Sequence, residues 1–163
     1  MATKQKKAPA NRPYPAEVKL TVTRFIDVLA SESTGAGRGT TYLMKLTGRH
    51  PLVSIKGDVI YIKSPGATLR FTLASTGRDK ETYFPVGITF VRQSKCNDSD
   101  EQRLGFLNFA QSQTRPEGRT LSTTYRYKND ERDIRYKFSL VVQRGSDGRI
   151  GLIDPAIEHD NSD

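Results

Sequence analysis

The sequence predicts an all-β domain, an antiparallel β-sandwich or barrel of about eight to ten short strands with flexible N- and C-terminal tails. Apolar residues alternate with polar ones in several segments of the 163-residue chain, which is the period of half-buried strands. Glycine, proline and polar clusters separate these segments, as turns do. We find no internal repeat and no convincing long helix, so one β domain is expected.

The first predicted strand follows the lead segment. Val18, Leu20 and Val22 share one face, and Lys19 and Thr21 take the other. Arg24 interrupts the apolar face, so we expect a β-bulge there.

Further strands follow at short intervals. Ser31 to Thr41 reads as a loop, Lys56-Gly57-Asp58 and Pro65-Gly66 as turns. Pro85 has no N–H group to donate, which places its strand at an edge or makes Pro85 its start. Apolar positions that alternate in these strands are Tyr42, Met44, Leu46, Leu69, Phe71, Leu73, Phe84, Val86, Ile88 and Phe90.

The C-terminal third predicts a three-stranded meander. Folding about the turn 129–132 pairs Tyr125 with Tyr136, and a second loop pairs Leu140 with Leu152. Both hairpins place the same residues of the middle strand inward, and a one-residue slip would invert a whole face. The expected inward residues are Tyr125, Tyr136, Phe138, Leu140 and Leu152.

Charge divides the chain into three parts, a flexible basic lead (1–16), the β domain (17–153) and an acidic tail (154–163). The lead has four bases and no acid, the tail four acids and no base, and the net charge of the whole is +8. The two ends cancel, so the β domain alone accounts for +8. Such a domain favours anionic partners, although the same charge also serves solubility.

Cysteine content and hydropathy restrict the compartment. Cys96 is the single cysteine, so no intramolecular disulfide forms. The lead lacks the apolar run of a secretory signal, and no segment reaches the length of a membrane span. We therefore expect a cytoplasmic protein without membrane partners. Open sheet edges can pair between copies of the chain, which would give a homo-oligomer.

Several motifs fall short of known chemistry. Gly35 to Gly39 lacks the Lys-Ser/Thr pair of a phosphate loop. His50 and His159 have no metal-ligand spacing, and the acidic run 97–101 lacks the glycine and distal glutamate of a calcium loop. Cys96 has no histidine predicted near it. No metal site, cofactor or catalytic triad is expected.

The predicted meander offers one binding hypothesis. Its outward face would carry Arg126 opposite Arg135, with Lys128 and Lys137 alongside. Like charges across a sheet are destabilising unless an anion neutralises them, so nucleic-acid or polyanion binding is a hypothesis. A solvated face explains the same residues.

The Asp154-Pro155 bond offers a second hypothesis. Asp154 would continue the inward face near Phe138, and its carboxyl can attack its own carbonyl carbon while the proline nitrogen leaves. This would release residues 155–163. The alternative is that Pro155 simply ends the last strand.

The C-terminal region resembles the DP-EP family of small, largely uncharacterised bacterial proteins. The residues that carry the resemblance are the strand Tyr136 to Val142, the glycine-flanked turn Gly145-Ser146-Asp147-Gly148 and the ending Ile153-Asp154-Pro155-Ala156-Ile157-Glu158. The resemblance implies a compact antiparallel β fold and interest in the Asp-Pro bond, with no substrate or cofactor.

Together these observations favour a non-enzymatic binding or interaction module. Self-processing at Asp154-Pro155 and polyanion binding are the two alternatives.

Overall fold

The computed structural model describes residues 12–29, 39–77, 80–94, 103–104, 113–114, 119–126 and 134–159. These residues form two β-sheets packed face to face, as the alternating pattern predicts. Ten strands have four or more residues, and two further strands have two residues each. They are β1 (Tyr14–Arg24), β2 (Thr41–Leu46), β3 (Val53–Lys56), β4 (Val59–Ile62), β5 (Gly66–Ser75), β6 (Tyr83–Ser94), β7 (Arg103–Leu104), β8 (Gln113–Thr114), β9 (Thr120–Arg126), β10 (Ile134–Arg144), β11 (Ile150–Ile153) and β12 (Ala156–His159).

The first sheet has the strand order β2-β1-β5-β9-β8, and the second has the order β3-β4-β12-β10-β6-β7, with β11 paired to β10. Both orders are linear, so within the described residues the sheets form a sandwich and do not close into a barrel. β1 with β5 and β4 with β12 are parallel pairs. The sheets are therefore mixed: the other neighbouring strands are antiparallel, as the sequence predicts, and these two pairs are the exceptions within the described residues.

The core lies between the two sheets. Alternation places Val18, Leu20 and Val22 of β1 inside, where each is fully buried. Phe71 of the first sheet packs against Phe138 of the second, with ring centroids 5.3 Å apart. Burying such side chains is the main favourable contribution to folding, each contributing roughly 1.5–3 kcal/mol.

Two backbone irregularities were expected from the sequence. The β1–β2 register shifts between Val22 and Arg24, which confirms the bulge predicted at Arg24. Pro85 lies near the start of β6, opposite Val142 of β10. On the far side of β6, β7 pairs only with Val91 and Arg92, so among the described residues no strand lies beside Pro85 on that side.

The predicted meander is wrong in its first hairpin. β9 pairs with β5 and β8 in the first sheet, whereas β10 lies in the second sheet between β12 and β6. Tyr125, Tyr136, Phe138 and Leu140 are nevertheless buried, as expected, because they face one another across the core. The predicted turn 129–132 lies outside the described residues.

The second predicted hairpin exists with its register moved by one residue. Leu140 is the partner of Ile153, not of Leu152. Ile153 is consequently buried and Leu152 only partly so. The alternation in β11 is concealed because the other inward residue is Gly151, which has no side chain.

The segment assigned to an acidic tail contains a structural strand. β12 lies between β4 and β10, and Ile157 is fully buried. The boundary at residue 154 is therefore wrong. At the other end β1 begins at Tyr14, inside the predicted lead. In the described part of the chain, no helix is both long and apolar enough to cross a membrane.

Candidate functional site

The Asp154-Pro155 bond interrupts one long strand alongside β10. β11 and β12 keep the same register against β10, so Asp154 falls opposite Ser139 and Pro155 opposite Phe138. The Phe138 N–H donates to the Pro155 carbonyl at 3.0 Å. The Ser139 hydroxyl donates to Asp154 Oδ1 at 2.5 Å. Pro155 thus lies between the two strands β11 and β12, but the backbone hydrogen bonding to β10 continues across it.

Asp154 is exposed on the outer surface of the second sheet. The expectation that it points inward near Phe138 is wrong, because the register of β11 differs by one residue from the predicted register. Its carboxylate is held by Ser139, so rotation toward its own carbonyl carbon requires the loss of that hydrogen bond. Self-processing at the Asp154-Pro155 bond therefore stays a prediction, and the Ser139 hydrogen bond opposes it.

Tyr42 lies near this junction. Its hydroxyl is buried and has no hydrogen-bond partner among the described residues. Burial raises the pKa of Tyr42, and the negative charges of Asp58 and Asp154 raise it further. Tyr42 therefore remains a neutral phenol at neutral pH and offers no base for chemistry at the bond.

The predicted basic stripe is divided between the two sheets. Arg126 of β9 has Gly66 of β5 as its partner, whereas Arg135 of β10 has Gln93 of β6 on one side. The predicted pairing of Arg126 with Arg135 is therefore wrong, since the two residues lie on opposite outer surfaces. Lys128 lies outside the described residues.

On the second sheet, the two remaining residues of the stripe have separate surroundings. Arg135 forms an ion pair with Glu158, whose side chain is only 8% exposed. Lys137 is exposed, and its cross-strand partner on β12 is Ala156. The charge of Arg135 is therefore neutralised within the sheet, and Lys137 has no cationic partner directly across from it on β12.

The first sheet presents a different surface, which we call the outer face. It consists of the outward side chains of β1, β2, β5 and β9. Eight of them carry hydroxyl groups, namely Thr21, Thr23, Thr41, Thr68, Thr72, Thr120, Ser122 and Thr124. Hydroxyls on adjacent strands are close together, with the Oγ1 atoms of Thr68 and Thr124 3.1 Å apart.

Two cations of the outer face lie side by side where β1 meets β2. Lys19 and Lys45 are direct cross-strand partners, and both are exposed. The neighbouring Glu17 is engaged by Arg70, with Nη1 and Oε1 3.0 Å apart. Among the described residues, no carboxylate lies within ion-pair distance of either lysine. The sequence predicted that Lys19 points outward, but not which strand would lie beside it.

The N-terminal lead joins the sheet at the other end of the outer face. Gly66 has Arg126 as its partner, and the next residue of β5, Ala67, has Tyr14. A Cβ on Gly66 would be 3.8 Å from Pro13 Cβ and 3.8 Å from the Arg126 Cα. The chain therefore enters β1 beside Arg126, and the lysines at positions 4, 6 and 7 precede this point in the sequence.

The histidines have structural contacts. His50 Nε2 lies 2.9 Å from the Thr47 carbonyl, so it carries the proton, and Nδ1 accepts from the Tyr14 hydroxyl at 3.4 Å. The ring of His159 packs 6.2 Å from that of Tyr125. The described residues contain no group of three or more histidine, cysteine or acidic side chains suited to a metal ion.

Other sequence candidates lie outside the described residues. They are Cys96, the acidic run 97–101 and the loop 35–39 apart from Gly39. Comparison of the chain with family models, curated proteins and solved structures found no match in any of the three. The resemblance to the DP-EP family stays a prediction.

Proposed function

We propose that the protein is a non-enzymatic β-sandwich binding module that holds polyanions on the outer face. The observation that carries the proposal is the Lys19–Lys45 pair, two cations side by side without an acidic partner in the described structure. Like charges directly across a sheet destabilise it, by up to about 1 kcal/mol. A bound anion removes this repulsion between Lys19 and Lys45. The relief of repulsion therefore contributes favourably to the free energy of anion binding at this position.

The rest of the outer face suits the same ligand. Hydroxyl groups donate neutral hydrogen bonds to phosphate or sulfate oxygens, and Lys19, Lys45 and Arg126 supply positive charge. Arg12 is exposed next to the point where the chain enters β1 beside Arg126, so it adds a further cation at that end of the outer face. This extends the predicted polyanion hypothesis but moves its site from the meander to the first sheet.

We further propose that the protein is cytoplasmic, in keeping with its single cysteine. Phosphate-bearing polymers are abundant there.

Salt elution from heparin–agarose tests the proposal. We expect Lys19→Gln/Lys45→Gln to elute at clearly lower salt than the unchanged protein, because two cations of the site are removed. Lys56→Gln/Lys137→Gln is the matched control, since both lysines are exposed on the outer surface of the second sheet. Equal elution of the two double variants, or no retention of the unchanged protein at low salt, would contradict the proposal.

A further inference from the structure

We infer that the polyanion is a double-stranded nucleic acid, held by its phosphates without reading of the bases. This inference rests on the proposed function, because it names the ligand of the same outer face.

Aromatic side chains of the first sheet point away from this face. Tyr14, Tyr42, Phe71 and Tyr125 all lie on the inward side of their strands and pack in or against the core. Single-stranded nucleic acids are generally held by stacking of their bases on exposed aromatic rings. The described outward positions of β1, β2, β5 and β9 offer no such ring, so the face lacks the main means of holding a single strand.

The cations of the outer face follow a diagonal across four strands. Lys45 and Lys19 lie side by side on β2 and β1, and Arg126 lies further along on β9. Arg70 of β5 lies between them, but its guanidinium is engaged by Glu17. With ordinary strand spacing and rise, the diagonal from Lys45 to Arg126 is about 25 Å long. That length corresponds to about seven base pairs of duplex, a row of phosphates that a rigid sheet can follow.

Rigidity of the ligand matters because the face has few cations. A flexible polyanion must lose conformational freedom to place its charges along the diagonal, whereas a duplex of this length is already straight. A small number of phosphate contacts therefore holds a duplex more readily than it holds a flexible chain. The many hydroxyls add hydrogen bonds to phosphate oxygens, which carry no base information.

Fluorescence anisotropy with three labelled probes tests the inference. The probes are a 15-base-pair duplex, one of its strands alone and inorganic polyphosphate, each titrated with the full chain over a series of salt concentrations. We expect the duplex to bind about fivefold or more tightly than the single strand, since stacking is absent. A duplex of shuffled sequence should bind equally well.

The salt dependence assigns the contact to the outer face. Lys19→Gln/Lys45→Gln should reduce the slope of log K against log salt by about 2, one for each lost phosphate contact. Lys56→Gln/Lys137→Gln should leave the slope unchanged. Circular dichroism of each variant confirms that the fold is retained.

The results of these binding experiments distinguish a wrong ligand class from a wrong function. A single strand that binds as tightly as the duplex, or polyphosphate that binds while the duplex does not, overturns the inference and leaves the polyanion module standing. A duplex slope that changes equally in both double variants overturns the placement on the outer face. If none of the probes nor heparin is bound at low salt, the proposed function itself is wrong.

Discussion

Tyr125 and Tyr136 meet across the core of the sandwich, with ring centroids 6.0 Å apart and an interplanar angle of 64°. The two rings belong to different sheets, and each tyrosine is only 2% exposed. Because side chains alternate along a strand, their neighbours Arg126 and Arg135 point to opposite outer surfaces. The placement of these two tyrosines in different sheets distinguishes the sandwich from the meander that the sequence predicts.

Engineered disulfides test this arrangement. In a Cys96→Ser background, Arg126→Cys/Arg135→Cys should form no intramolecular disulfide, because packed sheets are about 10 Å apart and a disulfide needs a Cα separation of about 4.4–6.8 Å. Thr68→Cys/Thr124→Cys should form one readily, since these residues are antiparallel partners. Mass spectrometry after mild oxidation gives the answer. A disulfide between positions 126 and 135 would show that β9 and β10 are neighbours in one sheet, as in the meander, and would contradict the sandwich.

The sequence predicts which side of a strand is buried better than it predicts the neighbours of that strand. The inward residues of β1, β9 and β10 are those expected from alternation. Alternation is a property of one strand, and Tyr125 and Tyr136 are buried equally well as partners in one sheet or as facing residues in two. The choice depends on long-range packing, which the local pattern does not contain.

The candidate site could likewise be predicted only where it depends on a single strand. That Lys19 points outward follows from the pattern of β1, but its pairing with Lys45 depends on the β1–β2 register. In β11, the inward position 151 is a glycine. An apolar side chain there would have revealed, by alternation with Ile153, the register of β11 against β10. Asp154 was consequently placed on the wrong side of its strand.

Gly151 should not tolerate a larger residue. A Cβ there would be 3.0 Å from Phe25 Cε2, 3.1 Å from the Ile26 carbonyl oxygen and closer still to Thr40 Oγ1. We expect Gly151→Ala to lower the free energy of unfolding by about 1–3 kcal/mol, measured by urea denaturation. Gly87→Ala is the control, because its nearest neighbour would be the Val141 Cγ2 atom at 3.8 Å. Equal losses in both variants would contradict the close approach of Phe25, Ile26 and Thr40 to Gly151.

Asp147 should make stability depend on pH in the acid range. Hydrogen bonds from the Arg144 guanidinium lower the pKa of Asp147 from 3.8 to about 2. Since the folded-state pKa is depressed, the stabilisation is present above about pH 4 and disappears as the pH falls through 2. The difference in Tm between the unchanged protein and Asp147→Asn should therefore be largest near neutral pH and vanish near pH 2. A difference that is constant with pH would contradict this assignment, and Ser146→Ala should show none.

Ser139 should protect the Asp154-Pro155 bond. Its hydroxyl holds Asp154 Oδ1, so we expect Ser139→Ala to break at this bond severalfold faster than the unchanged protein in mild acid, and Asp154→Asn not to break. Mass spectrometry under denaturing conditions follows the cleavage.

Native mass spectrometry adds a second readout. The fragment 155–163 contains β12, which is paired on both sides, so it should remain bound in the native spectrum. Equal cleavage rates for Ser139→Ala and the unchanged protein would show that the hydrogen bond has no protective role.

The most direct test of the central claim is a map of the bound surface. In a ¹⁵N–¹H correlation spectrum titrated with the 15-base-pair duplex, the largest shifts should fall on Lys19, Lys45 and Arg126 and on the outer-face residues around them. The chemical shifts of the Lys56 and Lys137 amide signals should not change. Shifts concentrated on the second sheet, or a spectrum that does not change, would contradict the account.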